Sequence, residues 1–437
     1  MKVIASDFAS IVGEENAVCL WENIELSQQK RIQQAISNEK PQSVHACENL
    51  PGCIVYPRTQ EQLAAVIATA HGNNWRVLPC GSGSKLSWGG LAKNIDVVVS
   101  TERINGLIEH AVGDLTITVE AGMKFSHLQA ILADARQFLA LDPTTPELAT
   151  IGGIVATADT GSWRQRYGSV RDQLLGITFV RADGQIAKAG GRVVKNVAGY
   201  DLMRLFTGSY GTLGIISQVT FRVYPLQEAS GTVVLTGMGE AVSQAADILR
   251  GSALTPTQAD LLSTKLVSSL GLGKGLGLIA RFQSISESVK EQSNRLLAVG
   301  EKLGLDGAIY ADGDEATLWQ RLRECMHSFP TKSVITCKMG VLPTAAVEVL
   351  TQVELGMIHI GSGLGILQLD SQSQVLEVRD RIQANSGFLT ILEAPVTVKQ
   401  QVDVWGYTAN ALPLMRRIKQ QFDSKNILSP GRFVGGI

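Results

Sequence analysis

The stretch 142–225 constrains this chain more than any other: DPTTPELATIGGIVATADTGSWRQRYGSVRDQLLGITFVRADGQIAKAGGRVVKNVAGYDLMRLFTGSYGTLGIISQVTFRVYP. Twelve glycines fall between Gly152 and Gly214, among β-branched runs such as Val193-Val194 and Ile215-Ile216 rather than among Ser and Pro. A flexible linker does not carry such runs. Glycine at this density among strands implies main chain folded tightly against something flat or charged. The expectation is a chain built around a large phosphate-bearing ligand.

At 437 residues the chain is long for one core, so two domains are expected. A formal net charge of −1 gives no basic surface for a polyanion, which excludes nucleic acid as the expected partner. The six cysteines (Cys19, Cys47, Cys53, Cys80, Cys325, Cys337) contain no C-x-x-C pair, so neither a ferredoxin-type cluster run nor a zinc ribbon is present. Scattered thiols read as buried groups in a reducing compartment. No window approaches the ~18 apolar residues of a membrane span, and MKVIASDFAS lacks a signal-peptide core. A cytoplasmic protein is expected, peripheral on the inner membrane only through partners.

Residues 1–47 read as a polar leader with one helix at 26–36. Thr59-Gln60-Glu61-Gln62 is a capping box ahead of Leu63, Val66, Ile67 and Ala70 at helical spacing, with Gly72 as the stop. A short strand then opens into Pro79-Cys80-Gly81-Ser82-Gly83-Ser84-Lys85. Ser126-His127-Leu128-Gln129 has the same capping pattern. Residues 176–181 and 185–188 flank the hairpin turn Ala182-Asp183-Gly184. Near 228 the texture changes to strands alternating with polar amphipathic helices, the clearest at 286–303 and 372–385, which sets a boundary there.

Two phosphate-loop patterns fail on inspection. Gly81-Ser82-Gly83-Ser84 follows a strand, but Leu86 stands where a dinucleotide fingerprint needs a third glycine. The run 271–277 (GLGKGLG) has Ser268 at the required earlier glycine and no Ser or Thr after Lys274. What survives is a run of small residues whose N–H groups and hydroxyls can converge on a diphosphate.

Three motifs in order, PCGSGSKLSWGG, DPTTPELATIGGIVAT and GSYGTLGII, resemble the FAD-binding domain of the PCMH or vanillyl-alcohol oxidase type flavoproteins. The end of the chain, KQQFDSKNILSPGRF, resembles the terminus of their FAD-linked oxidase domain. With Val402-Asp403-Val404-Trp405-Gly406 it is most similar to the E-type FAD-binding subunit of glycolate oxidase (glycolate dehydrogenase). The resemblance implies an α+β fold of two domains: a PCMH-type FAD-binding domain at 48–228 and an FAD-linked oxidase C-terminal cap at 229–437. It places Pro79, Gly81, Ser82, Gly83, Ser84 and Lys85 at the FAD pyrophosphate. Asp142, Pro143, Ile151, Gly152 and Gly153, with the backbone of Val155, Ala156, Thr157 and Ala158, would line the diphosphate and flavin. Gly208, Gly211, Gly214 and Ile215 would lie against the adenosine half.

Where the chain departs from that family, the implications change. The first loop has Ser84-Lys85-Leu86-Ser87 and no histidine, so FAD is expected to be noncovalent. Tyr210 stands where relatives often have Glu. Catalytic relatives carry H-x-G-x-G-x-x-H and a later Glu-His that can hold a divalent metal. Here His359-Ile360-Gly361-Ser362-Gly363 keeps the first half, Ile366 replaces the second histidine, and Ala394 follows Glu393. One histidine makes no three-ligand site, so no metal is expected. His359 is the one weak catalytic candidate, and a packed or capping histidine is its simpler reading. Trp405 reads as a core or interface anchor, Arg416, Arg417 and Lys419 as a solvated helix face, and Arg164 and Arg166 as candidates for touching an anion.

The expected function is the FAD-binding subunit of a glycolate or other 2-hydroxy-acid dehydrogenase complex, with electrons leaving to a partner iron–sulfur subunit beside a second flavoprotein subunit. A non-catalytic assembly subunit and a self-sufficient D-lactate or glycolate oxidoreductase are the alternatives.

Overall fold

The computed structural model describes residues 2–13, 17–37, 50–192, 199–327 and 334–437. Cys47, Val193, Val194 and the expected boundary at 48 lie outside the described residues. The chain forms two compact units. The first comprises Met1–Thr160, Ser169–Pro225 and Val396–Ile437; the second comprises Gly161–Gly168 and Leu226–Pro395. It is an α+β protein, as the alternation of strand and helix patterns implies.

The first unit holds two larger sheets. In one, Cys53–Val55 and Val77–Cys80 run parallel on either side of Val97–Ser100, and Val18–Leu20 adds an antiparallel edge. The helix Gln60–Asn73 is the crossover, burying Leu63, Val66, Ile67 and Ala70. Thr59 caps it by accepting from the Gln62 N–H at 3.1 Å. The return bond differs from a standard box, because Gln62 Oε1 accepts from the Arg58 N–H. Gly72 does not stop this helix; Asn74 does, in the left-handed region at φ 56°.

The other sheet is antiparallel in the order Leu107–Ala111, Thr116–Glu120, Ile215–Arg222, Leu174–Val180, Ile186–Gly190. Gly184 closes the last hairpin at φ +84°, where an added Cβ would also lie 2.6 Å from the Ala68 Cβ. The helix after Thr116–Glu120 starts at Phe125, so Ser126 lies inside it rather than capping it. Gln129 turns away to bond the Leu139 main chain on both sides.

Two expectations about organisation change here. The segment expected as a leader is built into the first unit: Phe8 is fully buried, edge-on to Trp75 at 5.4 Å, and Val18–Leu20 joins the sheet. Val396–Ile437, expected to complete the cap, belongs to the first unit instead. Its Ile427 and Leu428 share the core of the parallel sheet, and the Val77 N–H donates to the Ile427 carbonyl at 2.7 Å.

The second unit is one antiparallel sheet of eight strands. Its order is Asp306–Ala311, Ala229–Gly237, Leu276–Ser284, Gln258–Leu262, Leu355–His359, Leu364–Leu369, Ile335–Gly340, Phe388–Glu393. The helix Ser286–Lys302 buries Val289, Leu296 and Gly300, and an added Cβ on Gly300 would sit 2.4 Å from Leu235. Leu318, Leu322 and Met326 of the helix Asp312–His327 pack with Val234, Leu262 and Ile279. No described helix is long and apolar enough to cross a membrane.

Candidate functional site

The parallel strand Val77–Cys80 ends at the mouth of a cleft that is partly open to solvent. Three stretches wall the cleft: the loop 79–86, the start of the helix Ile151–Thr157, and the turn 209–216. Thr150 begins that helix by accepting from the Gly153 N–H at 3.3 Å. The loop packs so closely on this cap that a Cβ on Gly81 would lie 2.1 Å from Thr150 Oγ1. Gly211, at φ +72°, closes against Pro79, where a Cβ would lie 2.7 Å from the ring.

These glycines are therefore required by the protein's own packing. Gly153 differs: an added Cβ there would meet only Thr150 Oγ1, at 3.1 Å, and the residue lines the open cleft. Its missing side chain leaves room for a ligand.

Of the residues expected at the cofactor, Pro79, Gly81, Ser82, Gly83, Ser84, Lys85, Gly152, Gly153, Ala156, Thr157, Gly211, Gly214 and Ile215 line the cleft. The remaining six stand behind or beside it. Ile151 and Val155 are fully buried in the core, Ala158 is the left-handed helix cap, and the Gly208 N–H donates to the Val155 carbonyl at 2.9 Å. Asp142 and Pro143 precede Thr144, which is tied to Asp159. Their part is to hold the wall.

Sequence reasoning missed Thr101, Thr150, Ser209, Tyr210 and Arg432 as lining residues. The small-residue pattern carried no signal for Thr101 or Ser209. Thr150 had one, since a threonine directly before an apolar helix start is an N-cap. Arg432 was visible only as part of the terminal PGRF.

Lys85 and Arg432 are the charged residues of the wall, and Lys85 comes from the loop. Its ammonium lies 3.2 Å from Asp159, and both side chains are almost wholly buried. Asp159 also accepts from the Thr144 N–H at 3.1 Å and from the Thr144 hydroxyl at 2.9 Å. Yet Lys85 Nζ has no hydrogen-bonded partner among the described residues. Asp159 pairs the charge of Lys85 but leaves N–H donors on the cavity wall that a further acceptor would satisfy. A phosphate or a flavin carbonyl would serve, so the residues present fit the cofactor.

The C-terminal segment closes the same region. Lys419, expected on a solvated face, is buried, donating to the carbonyls of Thr212 and Leu428 (both 2.8 Å) and to Asp423 (2.6 Å). Burial pulls its pKa down and Asp423 pulls it back up. Lys399 donates to the carbonyls of Ser87 and Gly89. Trp405 stands edge-on to Tyr210 at 5.0 Å and to Phe433 at 5.1 Å, and its Nε1–H donates to the Arg432 carbonyl. Burial pushes the Tyr210 phenol up and the Cys80 thiol up to about 12, so both are neutral at physiological pH.

His359 lies in the second unit. Antiparallel pairing of Leu355–His359 with Gln258–Leu262 sets it directly opposite Asp260. Its Nδ1 lies 2.5 Å from Asp260 Oδ1, and the Ser162 hydroxyl donates to Oδ2 at 2.6 Å. No motif around His359 points to Asp260 as its partner. Ile366 pairs with Met357 and Lys338, and Glu393 with Thr336. Among the described residues no three His, Cys, Asp or Glu side chains come together as a metal site. The glycines kept from the family motif serve the backbone. A Cβ on Gly361 would lie 2.0 Å from Gln165 Oε1, and Gly363 turns the hairpin at φ +65°. Arg164 and Arg166 form part of a one-turn helix in this unit and do not line the cleft.

The fold is of the p-cresol methylhydroxylase type. Residues 51–190 match the FAD binding domain family. A probable mitochondrial D-lactate dehydrogenase of Danio rerio is 24% identical, with 98% of this chain and 91% of the relative covered. The glycolate oxidase subunit GlcD of Bacillus subtilis (strain 168) is 23% identical over 88% and 89% of the two chains. A mitochondrial D-lactate dehydrogenase [cytochrome] of Arabidopsis thaliana is 28% identical over 66% of this chain, and the match spans 52% of that relative. Among solved structures, p-cresol methylhydroxylase with substrate bound superposes with a TM-score of 0.74 at 16% identity, covering 99% of this chain and 96% of that one. This last likeness concerns the fold.

Proposed function

We propose that this chain is the FAD-binding subunit of a 2-hydroxy-acid dehydrogenase complex acting on glycolate or D-lactate. The first unit is the flavin domain and the second the substrate-side cap. The observation that carries the reading is the glycine-walled cleft with the ion-paired Lys85 buried beside it, in a chain whose residues 51–190 match the FAD binding domain family. Pro79, Gly81, Ser82, Gly83, Ser84 and Lys85 hold the diphosphate; Gly152, Gly153, Ala156 and Thr157 lie against the flavin; Gly211, Gly214 and Ile215 face the adenosine half. FAD supplies a two-electron acceptor when bound. The chain's own residues seat it, exclude water and hold charge against it. Among the described residues no histidine lines the cleft, which supports noncovalent binding. The relatives named as D-lactate dehydrogenases and as a glycolate oxidase subunit support the substrate class.

Dehydrogenating a 2-hydroxy acid also needs a base for the hydroxyl proton and a cation for the carboxylate. With Ile366 and Ala394 at the family's positions, the histidine set that the catalytic relatives use is incomplete in this chain. That supports work in a complex, with a second flavoprotein subunit and an iron–sulfur subunit to carry electrons away. The same observation favours a second reading, a non-catalytic assembly subunit of that complex. The free thiols of Cys19, Cys53, Cys80, Cys325 and Cys337 support the reducing cytoplasm as its compartment.

The test is purified chain, glycolate or D-lactate, and a dye acceptor that bypasses iron–sulfur clusters. Slow or absent dye reduction by the chain alone, restored by co-expressing both partner subunits, is expected. Robust reduction by the chain alone, abolished in His359→Ala, means a self-sufficient oxidoreductase. Acid precipitation is expected to release the yellow chromophore into the supernatant; flavin left in the pellet sinks the noncovalent assignment.

A further inference from the structure

Arg432 presents a charge that nothing described in the protein neutralises. It is buried on the cleft wall, on the segment that returns to the first unit at the end of the chain. Its guanidinium donates to the carbonyls of Leu86 at 3.0 Å and Trp88 at 2.6 Å. These acceptors are neutral, and among the described residues no carboxylate pairs with it. The two titratable groups that bear on it, Tyr210 and Cys80, both keep their protons at physiological pH. Burial draws the guanidinium down to about 10, so it stays charged at neutrality.

The neighbouring cations contrast with it. Lys419 has Asp423, and Lys85 has Asp159. A buried cation without a counter-ion is costly in a low-dielectric wall, and such charges are normally paired. Here the open side of the pair is the cleft.

We propose that Arg432 is a cofactor-binding residue: its guanidinium fixes the 86–88 main chain and provides the counter-charge for the diphosphate of FAD in the cleft. The glycine loop at 79–86 and the C-terminal segment, separated by more than three hundred residues of sequence, then form one anion site. This inference rests on the flavin reading above. Arginine suits the task because its fork serves two carbonyls and still carries charge toward a phosphate.

The test uses full-length apoprotein titrated with FAD and followed by flavin fluorescence and thermal melting. Wild type is expected to bind FAD. Arg432→Gln, which keeps one hydrogen bond but no charge, is expected to bind at least roughly tenfold more weakly. Arg432→Lys is expected to recover most of that loss. As a measurement that needs no variant, FAD is expected to raise the melting temperature of wild type well above the rise given by riboflavin, which has the ring system and no phosphate. Wild-type-like FAD affinity in Arg432→Gln, or equal stabilisation by riboflavin and FAD, overturns the counter-charge while leaving the flavin reading intact. No FAD uptake by wild type overturns both.

Discussion

The two units use similar glycine motifs for different ends. In the first, the G-x-G of the loop at 81–83 and the Gly152-Gly153 pair wall a cleft, and Lys85 and Arg432 bring charge to it. In the second, Gly361 and Gly363 turn a hairpin between two strands and pack against Gln165 and Val341. The histidine before them is held by Asp260. A glycine motif thus reports a close approach of backbone to something. Only the neighbours tell whether that something is a ligand or the protein itself.

That contrast is open to breaking by substitution. The largest effect is expected at Gly363→Val. Its Cβ would lie 1.8 Å from the Val341 carbonyl oxygen, at a φ of +65° that a β-branched residue rarely adopts. Destabilisation of about 3 kcal/mol is expected from overpacking and backbone strain together. Urea unfolding measures it, and a variant as stable as wild type means the hairpin is not the reason for this glycine. Gly153→Val is expected to reverse the balance. The cleft-facing position costs about 1 kcal/mol in the apoprotein, since only Thr150 Oγ1 is near. FAD occupancy is expected to fall sharply, because the branches fill the space left for the flavin. Full occupancy, read from the flavin-to-protein absorbance ratio, counts against the proposed path.

Much of this was legible in the chain. The helix over Leu63, Val66, Ile67 and Ala70, the hairpin at Gly184 and the loop at 79–85 follow from periodicity, a cap and turn chemistry, all local signals. What escaped was non-local. Lys419 looks like a surface residue on its own helix, and the Thr212 carbonyl that meets its ammonium comes from far along the chain. Asp260 stands ninety-nine residues from His359 and meets it through strand register, which no motif encodes. Arg432 needed the terminus to fold back on the first unit. Charge placed by long-range return leaves no period in the sequence.

The smallest expected effect separates the units by pH. Burial raises the Cys53 thiol in the first unit and the Cys337 thiol in the second, each to about 12 from an ordinary 9.0. Unfolding returns them to water, where they ionise near 9. Between these values the native state binds more protons than the unfolded one, so stability is level below about pH 9 and falls as pH rises toward about 12. Cys53→Ala is expected to reduce that alkaline slope for the first unit, where Cys80 and Tyr210 still contribute, and leave the second unchanged; Cys337→Ala is expected to reduce it for the second unit alone. Unfolding midpoints followed from pH 8 to about 10.5 in single-tryptophan variants, one keeping Trp75 of the first unit and one keeping Trp319 of the second, measure both slopes. If one substitution flattens both reporters equally, the two units unfold as one, and a loss of stability at Gly363 will then also appear as a loss of FAD.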